Sequence, residues 1–243
     1  LAPWLESLFP ADLTRRGVGG RHRVGPQRAP EVLQVLEEAQ RALGARPFAA
    51  FLADGGGPEI SIENTRPPSL VLGAAFTGRP EGERRFLAAR ALALADLGWA
   101  LAGKFAPRDV GVLLELAIRF AGGEAPSLGL PPARAPAFLA ALERAVPPSV
   151  QERARELGAR AAAEVAALAP RELATAIRQS ASRVALVHAG DARSALEALL
   201  AAEPRVAVLP RAEALSHPDV HDLVCFALSD EHVELRAAAE EGR

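Results

Sequence analysis

Residues 69–105, SLVLGAAFTGRPEGERRFLAARALALADLGWALAGKF, constrain the fold more than any other part of the chain. A short apolar strand, Leu70-Val71-Leu72-Gly73, passes through a Gly/Pro turn at 78–80 into a long helix. That helix carries Phe86, Leu87, Leu92, Leu94, Leu97 and Leu101. A helix this apolar needs cover on more than one side, so it predicts the centre of a domain. A strand feeding such a helix is also a common place for a catalytic motif, and none is written there.

The remaining elements arrange themselves around this one. Strand candidates lie at 48–53, 59–63 and 70–73, and the second, Glu59-Ile60-Ser61-Ile62-Glu63, alternates strictly and predicts one wet face. Asp54-Gly55-Gly56-Gly57 is a turn signal that predicts a hairpin between the first two. Pro30 suits the first position of a helix that Gly44 would stop. Helical periodicity then predicts helices over 81–104, 107–121, 134–146, 148–168, 170–189, 191–203, 218–228 and 229–240. The segment 122–132 reads as a surface loop between two helices, and the apolar stretch 206–209 has no assigned state. The fold class expected is α+β and predominantly α-helical, with a small sheet at about 48–73 packed on the 81–104 helix. Residues 1–29 read as an irregular N-terminal segment or linker, and 30–243 as a single domain. Within the former, RRGVGGRHRVGPQR lacks the Gly-Lys-Ser/Thr of a phosphate loop, so it reads as a solvated linker or hairpin.

Charge and composition remove several function classes. A formal net charge of −2 offers no field for nucleic acid or an anionic membrane. Aromatics are 5% with no Tyr, which argues against stacking platforms for single strands. Apolar runs are interrupted well short of a membrane span. The single Cys225 excludes an internal disulfide and fits a reducing, cytoplasmic location. The absence of any Met suggests a piece of a longer protein, and the Ala, Arg, Leu and Pro bias suggests a GC-rich bacterial source.

Candidate chemistry is sparse. His217 and His221 stand four apart in S-H-P-D-V-H-D, a spacing that can hold a metal from one helix face. Pro218 instead predicts that His217 caps a helix start, which turns its ring out of register. Cys225, in the apolar run Leu223-Val224-Cys225-Phe226-Ala227-Leu228, reads as a buried, inert thiol. Ser180 and Ser182 have no glycine elbow, and Asp191 reads as a helix cap. Arg90, in the middle of the most apolar helix, is the anomaly. It predicts a snorkelling or ion-paired Arg, partnered by Asp96 or by an acid from another helix. No cofactor is expected.

The order of these pieces resembles the zinc metallopeptidase domain of HtpX-like gluzincins. Residues 68–76, PSLVLGAAF, are similar to the strand preceding that family's zinc helix, and Glu81 to Glu83 to its acidic start. In that register the His-Glu-x-x-His positions fall on Arg90, Ala91 and Leu94. The segment 181–186, ASRVAL, resembles the stretch after the third ligand, a glutamate that would fall on Arg178, with the following aspartate on Ser182. The resemblance covers about residues 30–200 and implies a peptidase fold with every ligand and the general base lost. Arg and Leu offer zinc no deprotonated donor. The closing segment 222–236 also looks like the tail of bacterial proteins in which tetratricopeptide arrays precede a domain of this kind.

The function implied is a non-catalytic interaction or scaffold domain, a pseudoenzyme. Its partner would be another protein or another part of its own longer chain, and the sequence leaves the oligomeric state open. One alternative is an enzyme of unrecognised hydrolytic chemistry using Arg90, Arg178, Asp191 or His188. Another is an unrelated helical interaction domain, in which helices 81–104 and 170–189 would not lie side by side.

Overall fold

The structure, a computed structural model, describes residues 4–5, 8–9, 11–96, 100, 107–166 and 169–241. The chain divides into two compact units, one of residues 1–10 and 101–177, the other of residues 11–100 and 178–243. The predicted 30–243 stretch is therefore shared between them.

The first unit is helical. Helices α3 (Pro107–Phe120), α4 (Ala135–Ala145) and α5 (Pro148–Ala166) lie in it, with α3 packed against both others. Leu113 and Leu116 of α3 meet Leu142 of α4, Leu5 and Leu130 in one buried cluster. Besides Leu130, a buried carboxylate ties the 122–132 loop to this core. Glu115, 1% exposed, accepts hydrogen bonds from Leu128 N (2.7 Å) and Leu130 N (3.0 Å), and from the Arg119 guanidinium. Two otherwise orphaned loop amides thus find a charged acceptor inside the unit.

The second unit contains the sheet. Helix α1 (Pro30–Leu43) buries Val32, Val35, Leu36 and Ala39 at helical spacing, with Pro30 in the first turn and Gly44 as its left-handed cap. Strands β1 (Ala49–Leu52), β2 (Ile60–Glu63) and β3 (Ser69–Leu72) form a sheet in the order β1-β3-β2. β1 runs parallel to β3 with Phe51 beside Val71, and β2 runs antiparallel to it with Ile62 beside Leu70. The expected β1–β2 hairpin is thus overturned. β3 is buried along its whole length, so it takes the centre and both of its hydrogen-bonding edges are used. The glycine run folds onto the end of β3 instead of closing a hairpin. Ala74 N donates to Gly55 O, and a Cβ on Gly73 would stand 2.0 Å from Gly57 O. Only glycine permits that backbone approach.

The strand over 59–63 also departs from its alternation, because Glu63 on the predicted wet face is 2% exposed. Asp12 N and Arg16 Nε donate to its carboxylate, so the N-terminal segment covers that face. Val18, His22 and Val24 of this segment are buried too, and Arg23 bridges to Phe51. The stretch expected as a solvated linker packs into the second unit from residue 11 onward. Its cations find acids there: Arg16 meets Glu63, and Arg21 meets Asp54.

Helix α2 (Glu81–Asp96) is the predicted central helix, buried on nearly every side from Phe86 to Ala95. It packs against α1, β2 and α7 (Ala192–Ala202). Residues 97–99 and 101–104 of the predicted helix lie outside the described residues. The long helix α6 (Pro170–Ala189) leads into α7, which Asp191 caps by accepting from Arg193 N and Ser194 N. The chain continues through α8 (Pro204–Ala207), α9 (Arg211–Leu215), α10 (Pro218–Ala227) and α11 (Asp230–Glu241). α7 also packs against α8 and α10. The molecule is mostly helical with one small mixed sheet, as expected for an α+β chain. Among the described residues no helix is long and apolar enough to cross a membrane.

Candidate functional site: a buried arginine–carboxylate cluster

An arginine in the middle of a buried helix must find a counter-charge or leave the core, because a bare guanidinium in apolar surroundings costs several kcal/mol. Arg90 finds one. Its Nη2 lies 3.1 Å from Glu203 Oε2, and its Nε donates to Ser182 Oγ at 3.0 Å. The side chains of Arg90 and Glu203 are 14% and 9% exposed, so water screens the pair little. Glu203 stands at the joint between α7 and α8, where it ends one helix and starts the next. Of the two expected kinds of partner, the acid from another helix is the one found. Asp96 pairs with Arg46 instead.

The serine carries the connection onward. Ser182 Oγ accepts from Arg90 and donates to the Arg178 carbonyl, one turn earlier on α6, at 3.0 Å. Arg178 is itself buried, and its Nε donates to Asp219 Oδ2 at 3.1 Å. Asp219 occupies the first turn of α10, where the helix dipole favours a carboxylate, and it is 1% exposed. Its second oxygen, Oδ1, is buried with no hydrogen-bond partner among the described residues. The His217 side chain accepts from Asp219 N and caps the helix, the role predicted from Pro218.

Two arginine–carboxylate pairs are therefore linked by one hydroxyl, which accepts from the Arg90 side chain and donates to the Arg178 backbone carbonyl, and each charge has its opposite within hydrogen-bonding distance. What this arrangement can do chemically is limited. A guanidinium has no lone pair for a metal and keeps its proton at any working pH. Glu203 and Asp219 each accept from one. The cluster holds α2, α6, α10 and the α7–α8 joint together.

The other singled-out residues divide around it. Ala91 and Leu94 are buried, 4% and 5% exposed, within the apolar surroundings of α2. Asp191 is spent on capping α7. The hydrogen bond from Ser194, followed by burial acting in the opposite sense and then the Ser194 and Arg193 amides, leaves its carboxyl below the usual range. His188 and Ser180 lie on a different part of α6, lining a cleft with Arg183. Arg183 pairs with Asp222 and stands 5.4 Å over the Phe226 ring. Its hydrogen bond to Asp222 raises an already high pKa, with burial working against it.

His221 is exposed, with Cys225 Sγ 3.7 Å from its Nδ1 and 3.8 Å from its Nε2. Cys225 is a correction: it is exposed, where a buried thiol was expected. α10 turns Asp219, Val220, Leu223 and Phe226 inward, and that register leaves Cys225 outside. Among the described residues no three His, Cys, Asp or Glu side chains are grouped to hold a metal ion.

Sequence reasoning found Arg90, Arg178 and Ser182 but missed Glu203 as their partner, and saw Asp219 only as part of a helix start. The available signal was Arg90 itself: an arginine in an apolar helix demands an acid, and Glu203 stands at a helix joint immediately before Pro204. Comparison with protein-family models, with curated proteins and with solved structures returns no match.

Proposed function

We propose that this chain is a non-catalytic, metallopeptidase-like domain serving as an interaction or scaffold module in a longer, cytoplasmic bacterial protein. The reading rests on the similarity of residues 68–94 and 178–186 to the HtpX-like zinc-peptidase arrangement. Arg90, Ala91, Leu94 and Arg178 stand there in place of the two histidines, the glutamate base and the third ligand. The observation that carries it is Arg90 bound to Ser182 Oγ and Glu203 Oε2. A cation stands where the resemblance would place a dication, and an acid neutralises it. The Arg90–Ser182 hydrogen bond links α2 to α6, the two helices on which the resemblance would place the ligand positions. This favours the peptidase-derived reading over an unrelated helical domain.

Catalysis through the same residues finds less support. Arg90 and Arg178 are engaged by carboxylates, and Asp191 caps a helix. The test is hydrolysis of a fluorescein-labelled unfolded protein, measured with added zinc and with chelator. No turnover is expected in either condition, and turnover that the chelator abolishes would falsify the proposal.

A further inference from the structure

α10 turns Asp219, Val220, Leu223 and Phe226 into the second unit, which leaves His221, Cys225 and Leu228 on its outward side. These three recur at i, i+4 and i+7, one stripe along the helix. All are exposed, Leu228 to 83%. His22, His217 and His232 each have a ring nitrogen hydrogen-bonded within the fold, to Gly19, Asp219 and Ala227. His221 differs. Among the described residues its ring nitrogens meet only Cys225 Sγ.

The separation of thiol and imidazole is that of two ligands on one ion. Zinc binds a thiolate sulfur at ~2.3 Å and an imidazole nitrogen at ~2.0 Å. At a tetrahedral angle those bonds hold sulfur and nitrogen about 3.5 Å apart. Here Sγ lies 3.7 Å from Nδ1 and 3.8 Å from Nε2, close to that edge. Neither nitrogen is favoured, and rotation of the exposed ring aims either lone pair at a shared ion. Thiolate with imidazole suits zinc and discriminates against magnesium and calcium, which take oxygen ligands.

Two ligands do not close a tetrahedral site, and among the described residues no third His, Cys, Asp or Glu is grouped with them. A second copy related by a two-fold axis brings the same pair. We propose that two copies of this chain, face to face along α10, hold one zinc ion through His221 and Cys225 of each. Together they supply the Cys2His2 set of closed structural zinc sites, and a two-fold contact presents the same stripe from both sides. Both thiols release their protons to solvent as the metal–sulfur bonds form, so two thiolates balance the dication. Leu228 is carried into the same contact and out of water. The pair shares no residue with the arginine–carboxylate cluster, so the proposal stands whether or not the peptidase reading does.

Sedimentation velocity of the full chain, without a histidine tag and in a thiol-free reductant, tests this. Zinc at one ion per two chains should convert monomer to dimer, and EDTA should reverse it. His221→Ala or Cys225→Ser should weaken zinc-driven dimerisation more than roughly tenfold, since even groups that only orient a ligand are worth about that much. Both side chains are exposed, so neither replacement opens the core. Cobalt(II) in place of zinc should show a sulfur-to-metal charge-transfer band, and Cys225→Ser should abolish it. A chain that stays monomeric with zinc, or binds one ion per chain without pairing, overturns the proposal. So do a dimer that forms equally without zinc and variants that dimerise like wild type. A dimer that appears only without reductant and survives EDTA also overturns it, and would assign Cys225 to a disulfide between copies.

Discussion

At the scale of single residues, the buried ion pairs decide more than their number suggests. Replacing Arg90 with Leu leaves Glu203 charged and without its partner in a place water hardly reaches. Breaking one side of such a pair costs about 3 to 5 kcal/mol, whereas replacing both sides with apolar residues of similar volume is often neutral. Arg90→Leu should therefore lower the free energy of unfolding in urea by about 3 kcal/mol. The double variant Arg90→Leu/Glu203→Leu should regain most of that loss. A single variant as stable as wild type would show that the pair carries no structural weight.

Glu115 makes the same point with pH as the variable. Burial pushes its carboxyl up, but the Leu130 and Leu128 amides and Arg119 together outweigh it, so its pKa falls below the ordinary 4.5. A carboxyl whose pKa is lowered on folding contributes stability above its unfolded pKa and loses it as pH falls through the folded value. Glu115→Gln should therefore cost about 1 to 3 kcal/mol at pH 7, the range for weakening hydrogen bonds to buried amides. The difference from wild type should shrink below about pH 4.5. Urea titrations at pH 7 and pH 3.5 compare the two, and an equal gap at both would remove the carboxylate charge from the explanation.

At the scale of elements, the crossing of α2 and α7 sets how the central helix sits in the second unit. A Cβ at Gly82 would fall 2.7 Å from Ser194 Oγ and 2.9 Å from Ser194 Cβ. Alanine is the better helix former by about 1 kcal/mol in a helix interior and by less at Gly82, the second residue of α2, so propensity alone weakly favours Gly82→Ala. The contact opposes it, because Ser194 Cβ cannot swing away and α7 has to move; overpacking of this kind costs about 1 to 3 kcal/mol. The net expectation is a lowered melting temperature by circular dichroism, and a raised one would mean that α7 yields freely.

Local signals explain what could be read of these elements from the sequence. Pro30, Gly44, Pro107, Pro170 and Asp191 mark helix ends through backbone chemistry that acts within a turn, and the helices begin and end close to where those residues place them. The strands were also legible, but their pairing was not. A glycine turn signals a hairpin, while the choice of β3 as the centre depends on which strand the helices bury. Glu63 and Cys225 depart from their local patterns for a related reason. Alternation and apolar runs show that a segment has faces, and the cover on each face comes from residues far along the chain. The partners of Arg90 and Arg178 are 113 and 41 residues away, so nothing beside either arginine names them.

At the scale of the whole molecule, the cluster permits a direct test of descent from a metal site. Positions 90 and 94 lie one turn apart on α2 and share a face. Position 178 is one turn before Ser182, which touches Arg90. On the proposed peptidase ancestry, the quadruple variant Arg90→His/Ala91→Glu/Leu94→His/Arg178→Glu should set two imidazoles and a carboxylate around one point, with a fourth position open. It would also leave Glu203 and Asp219 without their guanidinium partners, so the metal-free variant should melt well below wild type. A dication bound among those acids compensates both faults. With zinc at a hundredfold excess over its dissociation constant, binding to the folded state alone adds about 2.7 kcal/mol. With Cys225→Ser in both chains to remove the α10 ligand pair, zinc should therefore raise the variant's melting temperature by several degrees, leave the parent unmoved, and appear at one equivalent by native mass spectrometry. If the variant melts at the same temperature with and without zinc, positions 90, 94 and 178 do not form a metal-binding triangle, and the peptidase resemblance fails with it.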